Sequence, residues 1–196
     1  MKLVRLLAAA MSPCAAILAG SLASADDGAK NLAKYNTCPG GYWVAKEKLT
    51  DGDGNDFVPV RTCEWTLDGA AIAFKQEFLY ADGVLRTESV GLNGWDASEN
   101  TMRVFGAMSH GGMIYDATFI PETLREKEKI MEFKFVSGAT GDVSEWRSVE
   151  THIDKDNYTE AGLMRVDGEW KQLSFLTFRR IETLDHEAVF NAGEKQ

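Results

Sequence analysis

The stretch IAFKQEFLYADGVLRTESVGL, residues 72–92, decides the fold class. Apolar and polar residues alternate in two runs, with Phe74 and Phe78 on the same face of the first run. This period of two is typical of a β-strand with one buried face. Between the runs lies Asp82-Gly83, a dipeptide that tolerates the backbone of a tight hairpin turn. The stretch therefore predicts an antiparallel β-hairpin.

The same pattern of short alternating runs and turn residues continues on both sides of this hairpin. We predict turns at Asp51-Gly52-Asp53-Gly54, Asn93-Gly94, Gly111-Gly112 and Asp167-Gly168. Strands are expected at approximately 42–49, 58–67, 70–80, 84–92, 101–108, 112–119, 129–136, 144–153, 157–166 and 169–180.

Successive hairpins place each strand beside the next, and closing such a meander removes its exposed edges. We therefore expect an all-β fold, a single antiparallel up-and-down β-barrel of about 8–10 strands. Short helical or irregular segments are expected at both ends of the chain. Asp185 is placed to cap a C-terminal helix, and residues 121–128 suit one or two helical turns.

Residues 1–25 have the features of a cleaved signal peptide. Lys2 and Arg5 supply a positive start, the apolar segment 6–20 follows, and Ala23-Ser24-Ala25 fits a cleavage site. The apolar segment is interrupted by proline and rich in alanine, so we do not expect it to be a stable membrane anchor. The sequence thus predicts one barrel domain, residues 26–196, in the periplasm or secreted.

The charge of the chain limits its partners. Its formal net charge is −9, and lysine and arginine form no cluster denser than Arg179-Arg180. Nucleic acids and anionic membranes attract basic patches, so neither is expected as a partner.

Two cysteines, Cys38 and Cys63, remain after the predicted signal is removed. In an oxidising compartment an even number of cysteines favours a disulfide, and two buried reduced thiols are the alternative. Neither cysteine has a cysteine or histidine at ligand spacing, so no metal site is predicted.

A few residues resemble the lipocalin-like (calycin) barrels. Gly41 and Trp43 form a Gly-x-Trp on the first strand, and Arg179 or Arg180 ends the last strand. In that family the arginine packs across the tryptophan and closes the base of the barrel. The run 91–96 and a late Gly-x-Trp at 168–170 are similar to uncharacterised exported bacterial proteins with a lipocalin-like domain. The resemblance implies a fold more than an activity.

The density of aromatic residues favours a binding protein over an enzyme. A barrel of this size can hold one small molecule, and small-molecule sites are commonly lined by aromatic side chains. We expect a small, largely apolar ligand and no cofactor, and the sequence does not indicate the oligomeric state. The candidate ligand-binding residues are Trp43, Trp65, Phe78, Tyr115, Trp146 and His152.

An enzyme is the first alternative, with Glu150, His152 and Glu77 as candidate acid–base residues. Residues i and i+2 of a strand point the same way, so Glu150 lies beside His152. Val149 and Ile153 occupy the opposite face and are apolar, which favours an outward-facing Glu150 and His152. An interaction module without a cavity, or a haem binder using one of the three histidines, is the second alternative.

Overall fold

The computed structural model describes residues 27–36, 38 and 40–195 of the 196-residue chain. The predicted signal segment, residues 1–25, lies outside the described residues. No helix among the described residues is both long and apolar enough to cross a membrane.

The described residues form one β-sheet of twelve strands, ordered β1-β11-β10-β9-β8-β7-β6-β5-β4-β3-β2-β12. The strands are β1 (Tyr42–Ala45), β2 (Glu47–Thr50), β3 (Asp56–Thr66), β4 (Ala71–Tyr80), β5 (Leu85–Asp96), β6 (Thr101–Met108), β7 (Ile114–Phe119), β8 (Glu128–Val136), β9 (Val143–His152), β10 (Asn157–Val166), β11 (Glu169–Ile181) and β12 (Glu194–Lys195).

Strand β1 closes the barrel because it pairs antiparallel with both β11 and β3. Trp43 lies opposite Arg180 on one side and opposite Arg61 on the other. Strand β2 pairs with the start of β3, and β12 pairs with β2, so both lie outside this ring. The other ten described strands form the closed antiparallel barrel. The predicted fold class is confirmed.

Within the described part of the chain, two short helices flank the barrel. Residues 27–35 are helical (α1), and α2 spans His186–Ala192. The side chain of Asp185 accepts a hydrogen bond from the backbone N–H of Ala188, which is the N-cap predicted from the sequence. Single 3-10 turns lie at Leu67–Gly69, His110–Gly112 and Pro121–Thr123.

Two sequence predictions about turns and breaks are wrong. Asn93-Gly94 is not a turn, because β5 continues through it and Asn93 pairs with Ile72 and Val104. The chain turns after β5 instead, where Asn100 has a positive φ of 51°. The predicted first strand is divided into β1 and β2 at Lys46.

The outer face of β3 and β4 is covered by the C-terminal segment. Three apolar residues of these strands alternate with residues that line the interior and therefore point outward: Val58, Val60 and Leu79. They are nevertheless almost fully buried. A Cβ placed on Gly193, directly after α2, would lie 3.1 Å from Val58 Cγ2. The helix therefore buries an apolar stripe on the outside of the barrel wall.

Helix α1 packs against one end of the barrel. Leu32 is fully buried, and the Tyr35 ring stacks on Trp95 with 5.7 Å between the centroids. The Cys38–Cys63 disulfide, predicted from the sequence, is present and ties the segment after α1 to β3. Together these contacts close the end of the barrel at which the β5–β6 hairpin lies.

Candidate functional site

The barrel encloses a cavity of about 480 Å³. This volume lies within the range of small-molecule sites. Cys38 and Cys63 border it at the closed end, and Met108, His110 and Met113 border it at the β6–β7 hairpin. The cavity thus runs along the barrel interior from the disulfide to the opposite end.

One side of the cavity is built on two glycines. Four neighbouring strands, β4 to β7, are in direct register here: Phe74 lies opposite Gly91, Gly91 opposite Gly106, and Gly106 opposite Tyr115. A Cβ on Gly91 would lie 2.4 Å from Phe74 Cε1, and one on Gly106 would lie 2.3 Å from the Tyr115 hydroxyl. The missing side chains therefore leave the space in which the two rings lie over the sheet.

The rings continue round the barrel from Tyr115. The Tyr115 centroid is 5.2 Å from that of Phe135 and 6.0 Å from that of Phe133, and Phe135 lies 5.8 Å from Trp146. These distances are those of favourable aromatic pairs. We call this surface the aromatic wall, which comprises Phe74, Tyr115, Phe133, Phe135 and Trp146.

The opposite side of the interior is polar and is organised by Arg61. Its Nη1 donates to the Tyr158 hydroxyl and to Glu160 Oε2, both at 2.9 Å. Its Nη2 donates to Gln76 Oε1 at 2.9 Å and to Glu160 Oε1 at 3.4 Å. Glu150 Oε1 lies 3.9 Å from Nη1. One guanidinium therefore joins side chains from β3, β4, β9 and β10.

Burial and charge act in opposite directions on these groups. Burial is the largest single effect on Arg61 and lowers its pKa, but the charges of Glu160, Tyr158 and Glu150, together with the hydrogen bond to Glu160, outweigh it and raise that pKa above its ordinary value. Burial also raises the pKa of Tyr158 well above its ordinary value and that of Tyr115 to about 12. Arg61 is thus a fixed cation, and both tyrosines keep their protons at neutral pH.

Two serines lie beside this network around a third glycine. Gly162 lies opposite Ser148 on β9 and opposite Ser174 on β11, and all three residues border the cavity. Ser148 is only 5% exposed, and its hydroxyl has no hydrogen-bond partner among the described residues. A buried hydroxyl without a partner costs free energy unless water or a ligand satisfies it.

The predicted outward orientation of Glu150 and His152 is wrong. Glu150 is 3% exposed and borders the cavity, whereas Ile153 is 53% exposed. The physical reason is Arg61, which offsets part of the cost of burying the carboxylate and comes from a distant strand. The apolar Val149 faces away from the interior in consequence.

His152 does not border the cavity. Its ring stacks on Tyr158 with 5.7 Å between the centroids. Burial, together with the nearby Lys129 ammonium, lowers the pKa of His152 from its ordinary 6.5 to about 4. The imidazole is therefore neutral at pH 7.

Glu77, the third candidate acid–base residue, is on the other side of the barrel wall. It lies opposite Val60, whose face is the outer one, and its carboxylate is 2.6 Å from Lys75 Nζ. Of the three candidate acid–base residues, only Glu150 borders the cavity.

The candidate ligand-binding residues fall into two groups. Tyr115 and Trp146 border the cavity as part of the aromatic wall. Trp43 is buried against Tyr158, Phe78 stacks on Phe57, and Trp65 is half exposed at the end of β3. These three residues, like His152, are not part of the cavity surface.

The residues that carry the lipocalin resemblance lie at the closed end. Arg180 is opposite Trp43, and a Cβ on Gly41 would lie 3.1 Å from Arg180 Nε. Gly41 has a positive φ of 70°, which also favours glycine. Arg180 pairs with Glu182 at 3.1 Å, whereas Arg179 pairs opposite Val44 and points to the other face.

The most important residues of the cavity were not singled out from the sequence. Arg61, Glu160, Gly91 and Gly106 each have an ordinary local context in a strand, and their contacts join strands that are distant in sequence. A glycine in the middle of a strand was the one available signal, since it often marks the close approach of another group.

Comparison of the sequence with protein-family models and with curated proteins gives no match. The closed ten-strand antiparallel barrel is compatible with a lipocalin-like fold. The site is therefore interpreted from its own geometry.

Proposed function

We propose that this protein is an exported, lipocalin-like binding barrel that holds a small, largely apolar molecule in its interior. The observation that carries the proposal is the cavity of about 480 Å³ with an aromatic wall on one side. Small-molecule sites are typically concave, mainly apolar and provided with a few polar groups, as this one is. The signal-like residues 1–25 and the Cys38–Cys63 bridge support an oxidising compartment outside the cytoplasm.

Binding is favoured over catalysis by the position of the candidate acid–base residues. General acid–base chemistry requires its groups within hydrogen-bond reach of the reacting atoms. Glu77 is on the outer face, and the neutral His152 ring is stacked beneath Tyr158. Glu150 alone of the three borders the cavity, where it lies beside Arg61.

The test is binding of a neutral fluorescent probe, N-phenyl-1-naphthylamine, to the purified mature chain. We expect enhanced probe fluorescence with the wild-type protein and its loss in Ser174→Phe, because a bulky ring at Ser174 fills the cavity. The matched control is Leu173→Phe, which adds the same ring at a neighbouring position that is 54% exposed. Equal probe binding by both variants, with both folded by circular dichroism, would contradict an interior site.

Native mass spectrometry of gently purified protein gives a second test with the natural ligand. We expect an added mass that is lost on denaturation. An absorbance band near 400 nm in the same sample would point instead to the haem alternative.

A further inference from the structure

The charged groups inside the barrel already have partners. Arg61 donates to both carboxylate oxygens of Glu160, at 2.9 Å and 3.4 Å. Glu150 Oε1 lies 3.9 Å from the same guanidinium, and Glu150 is also opposite Lys129 on β8. A ligand that brings a carboxylate or an ammonium therefore meets charges that are already matched.

The other two charged side chains at the border of the cavity are also engaged. The guanidinium of Arg147 is bound to Glu132 and lies 4.4 Å over the Trp170 ring on the outer face. The carboxylate of Glu88 accepts a hydrogen bond from Ser109 Oγ at 2.9 Å, in a contact that is exposed to solvent. Within the described part of the chain, no countercharge in the interior is left to offset the cost of taking an ion out of water.

Gln76 supplies a neutral hydrogen-bond donor at the cavity surface. Its Oε1 accepts from Arg61 Nη2 at 2.9 Å, and because a guanidinium can only donate, this contact fixes which end of the amide faces Arg61. The Nε2 end has no hydrogen-bond partner among the described residues. Unlike the Ser148 hydroxyl, Gln76 Nε2 is not a fully buried atom, so a ligand in the cavity can reach it.

The free end of this amide lies next to the aromatic wall. Gln76 and Phe74 are on the same face of β4, where side chains two positions apart are about 7 Å apart. The Phe74 and Tyr115 centroids are 6.5 Å apart, and a hydrogen bond of 3.1 Å from the Trp146 indole N–H to Ser144 fixes the ring at the other end of the wall. A flat aromatic ligand can stack on these rings and place a polar atom at Gln76.

We infer that the barrel selects a neutral aromatic molecule with an acceptor oxygen, such as an aryl ketone, whose oxygen accepts a hydrogen bond from Gln76 Nε2 while its rings lie on the aromatic wall. This inference rests on the proposed function and specifies its ligand class. A carboxylate or an ammonium would lose its hydration without gaining a free countercharge. A pure hydrocarbon would leave the Gln76 N–H groups without a partner.

The first experiment compares three probes with the same ring system: 2-acetylnaphthalene, 2-naphthoate and 2-(aminomethyl)naphthalene. Each is titrated against the complex with N-phenyl-1-naphthylamine at pH 7.5. We expect the ketone to bind at least about tenfold more tightly than either ion, because only the ions must give up the hydration of a charge. An affinity of either ion that equals or exceeds that of the ketone would overturn the inference and leave the proposed function standing. Failure of all three, and of the reporter probe, would instead remove the proposed function.

The second experiment locates the oxygen with 2-isopropenylnaphthalene, in which a CH₂ group replaces the ketone oxygen at nearly constant shape. The ketone-to-alkene affinity ratio is expected to fall about fivefold in Gln76→Met, since methionine has a similar length but no N–H to donate. Comparing ratios cancels the difference in hydrophobicity between the two probes.

The matched control is Gln172→Met, which makes the same change at an exposed glutamine on β11. Its ketone-to-alkene ratio should equal that of the wild-type protein. An unchanged ratio in Gln76→Met, or an equal loss in both variants, would overturn the placement at Gln76. Circular dichroism checks the fold of both variants, and the wild-type comparison of ketone and ions tests the ligand class even if Gln76→Met does not fold.

Discussion

Arg61 and Glu160 form an ion pair inside the barrel, with 2.9 Å between Nη1 and Oε2, although they are 99 positions apart in the sequence. Their side chains are only 16% and 18% exposed. Buried charges are stable when they are paired and hydrogen-bonded, and both conditions are met here. The pair therefore makes the interior polar on one side without leaving that guanidinium or carboxylate unmatched.

Arg61→Met is predicted to destabilise the protein by about 3–5 kcal/mol, because it leaves Glu160 and Glu150 without their cation in a buried setting. The measurement is the free energy of unfolding in urea. Arg165→Met is the control, since Arg165 pairs with Glu145 at 2.8 Å but both side chains are over 40% exposed. Its cost is expected to stay below about 1 kcal/mol, and equal costs in the two variants would contradict the role assigned to Arg61.

Gly91→Ala is predicted to destabilise the protein by about 1–3 kcal/mol. Its Cβ would lie 2.4 Å from Phe74 Cε1 and 2.7 Å from the backbone oxygen of Phe105, so the ring must move off the sheet. Gly94→Ala, on the same strand, meets no atom within 4 Å and should change stability by no more than about 0.5 kcal/mol. Thermal unfolding distinguishes the two, and probe binding should fall in Gly91→Ala alone.

The sequence predicted the barrel well because strand alternation and turn residues are local signals. The hairpin at Asp82-Gly83 is an example, since the strands on both sides follow from their own residues. The predicted turn at Asn93-Gly94 failed because the neighbouring strands continue past it, and pairing with Ile72 and Val104 overrides the local preference of Asn-Gly.

The cavity was less predictable because its residues act through distant strands. The orientation of β9 illustrates this. Val149 and Ile153 are apolar, so hydrophobicity alone predicts that their face of the strand points into the barrel. Nothing near them in sequence shows that Arg61 will neutralise Glu150 in the interior. Burial of a charge depends on its partner, and partners this far apart in the chain leave no local pattern.

Loss of the disulfide is predicted to cost about 3.5 kcal/mol, from the loop-closure entropy of a bridge whose cysteines are 25 positions apart. The variant is Cys38→Ser with Cys63→Ser, measured by urea unfolding against the oxidised wild-type protein. A reducing agent should destabilise the wild-type protein by a similar amount and leave the double variant unchanged. A double variant as stable as the wild-type protein would show that α1 and the barrel need no covalent tie.

The stability of the protein is predicted to fall through His152 as the pH is lowered from 6.5 to 4. Because the folded pKa of about 4 is below the ordinary 6.5, the unfolded chain takes up a proton in this window and the folded chain does not. The contribution is fully present above pH 6.5 and lost at pH 4. The direct measurement is the His152 pKa by NMR titration.

A variant pair separates this effect from the titration of carboxylates. His152→Gln should lose stability less steeply between pH 6.5 and 4 than the wild-type protein does. His110→Gln is the matched control, because it makes the same change at an exposed histidine at the other end of the barrel. A His152 pKa near 6.5 in the folded protein would contradict the prediction.

The pairing of β1 with β11 has a consequence for how the chain acquires its shape. The seam joins residues 42–45 to residues 178–181, so nearly the whole described chain lies between its two sides. Contacts between such distant positions carry a high loop-closure cost and form slowly. Almost the entire polypeptide must therefore be synthesised before β1 can pair with β11. Until then the incomplete sheet has a strand edge with unpaired backbone hydrogen-bonding groups. Incompletely synthesised or incompletely folded chains are therefore the forms most prone to aggregate.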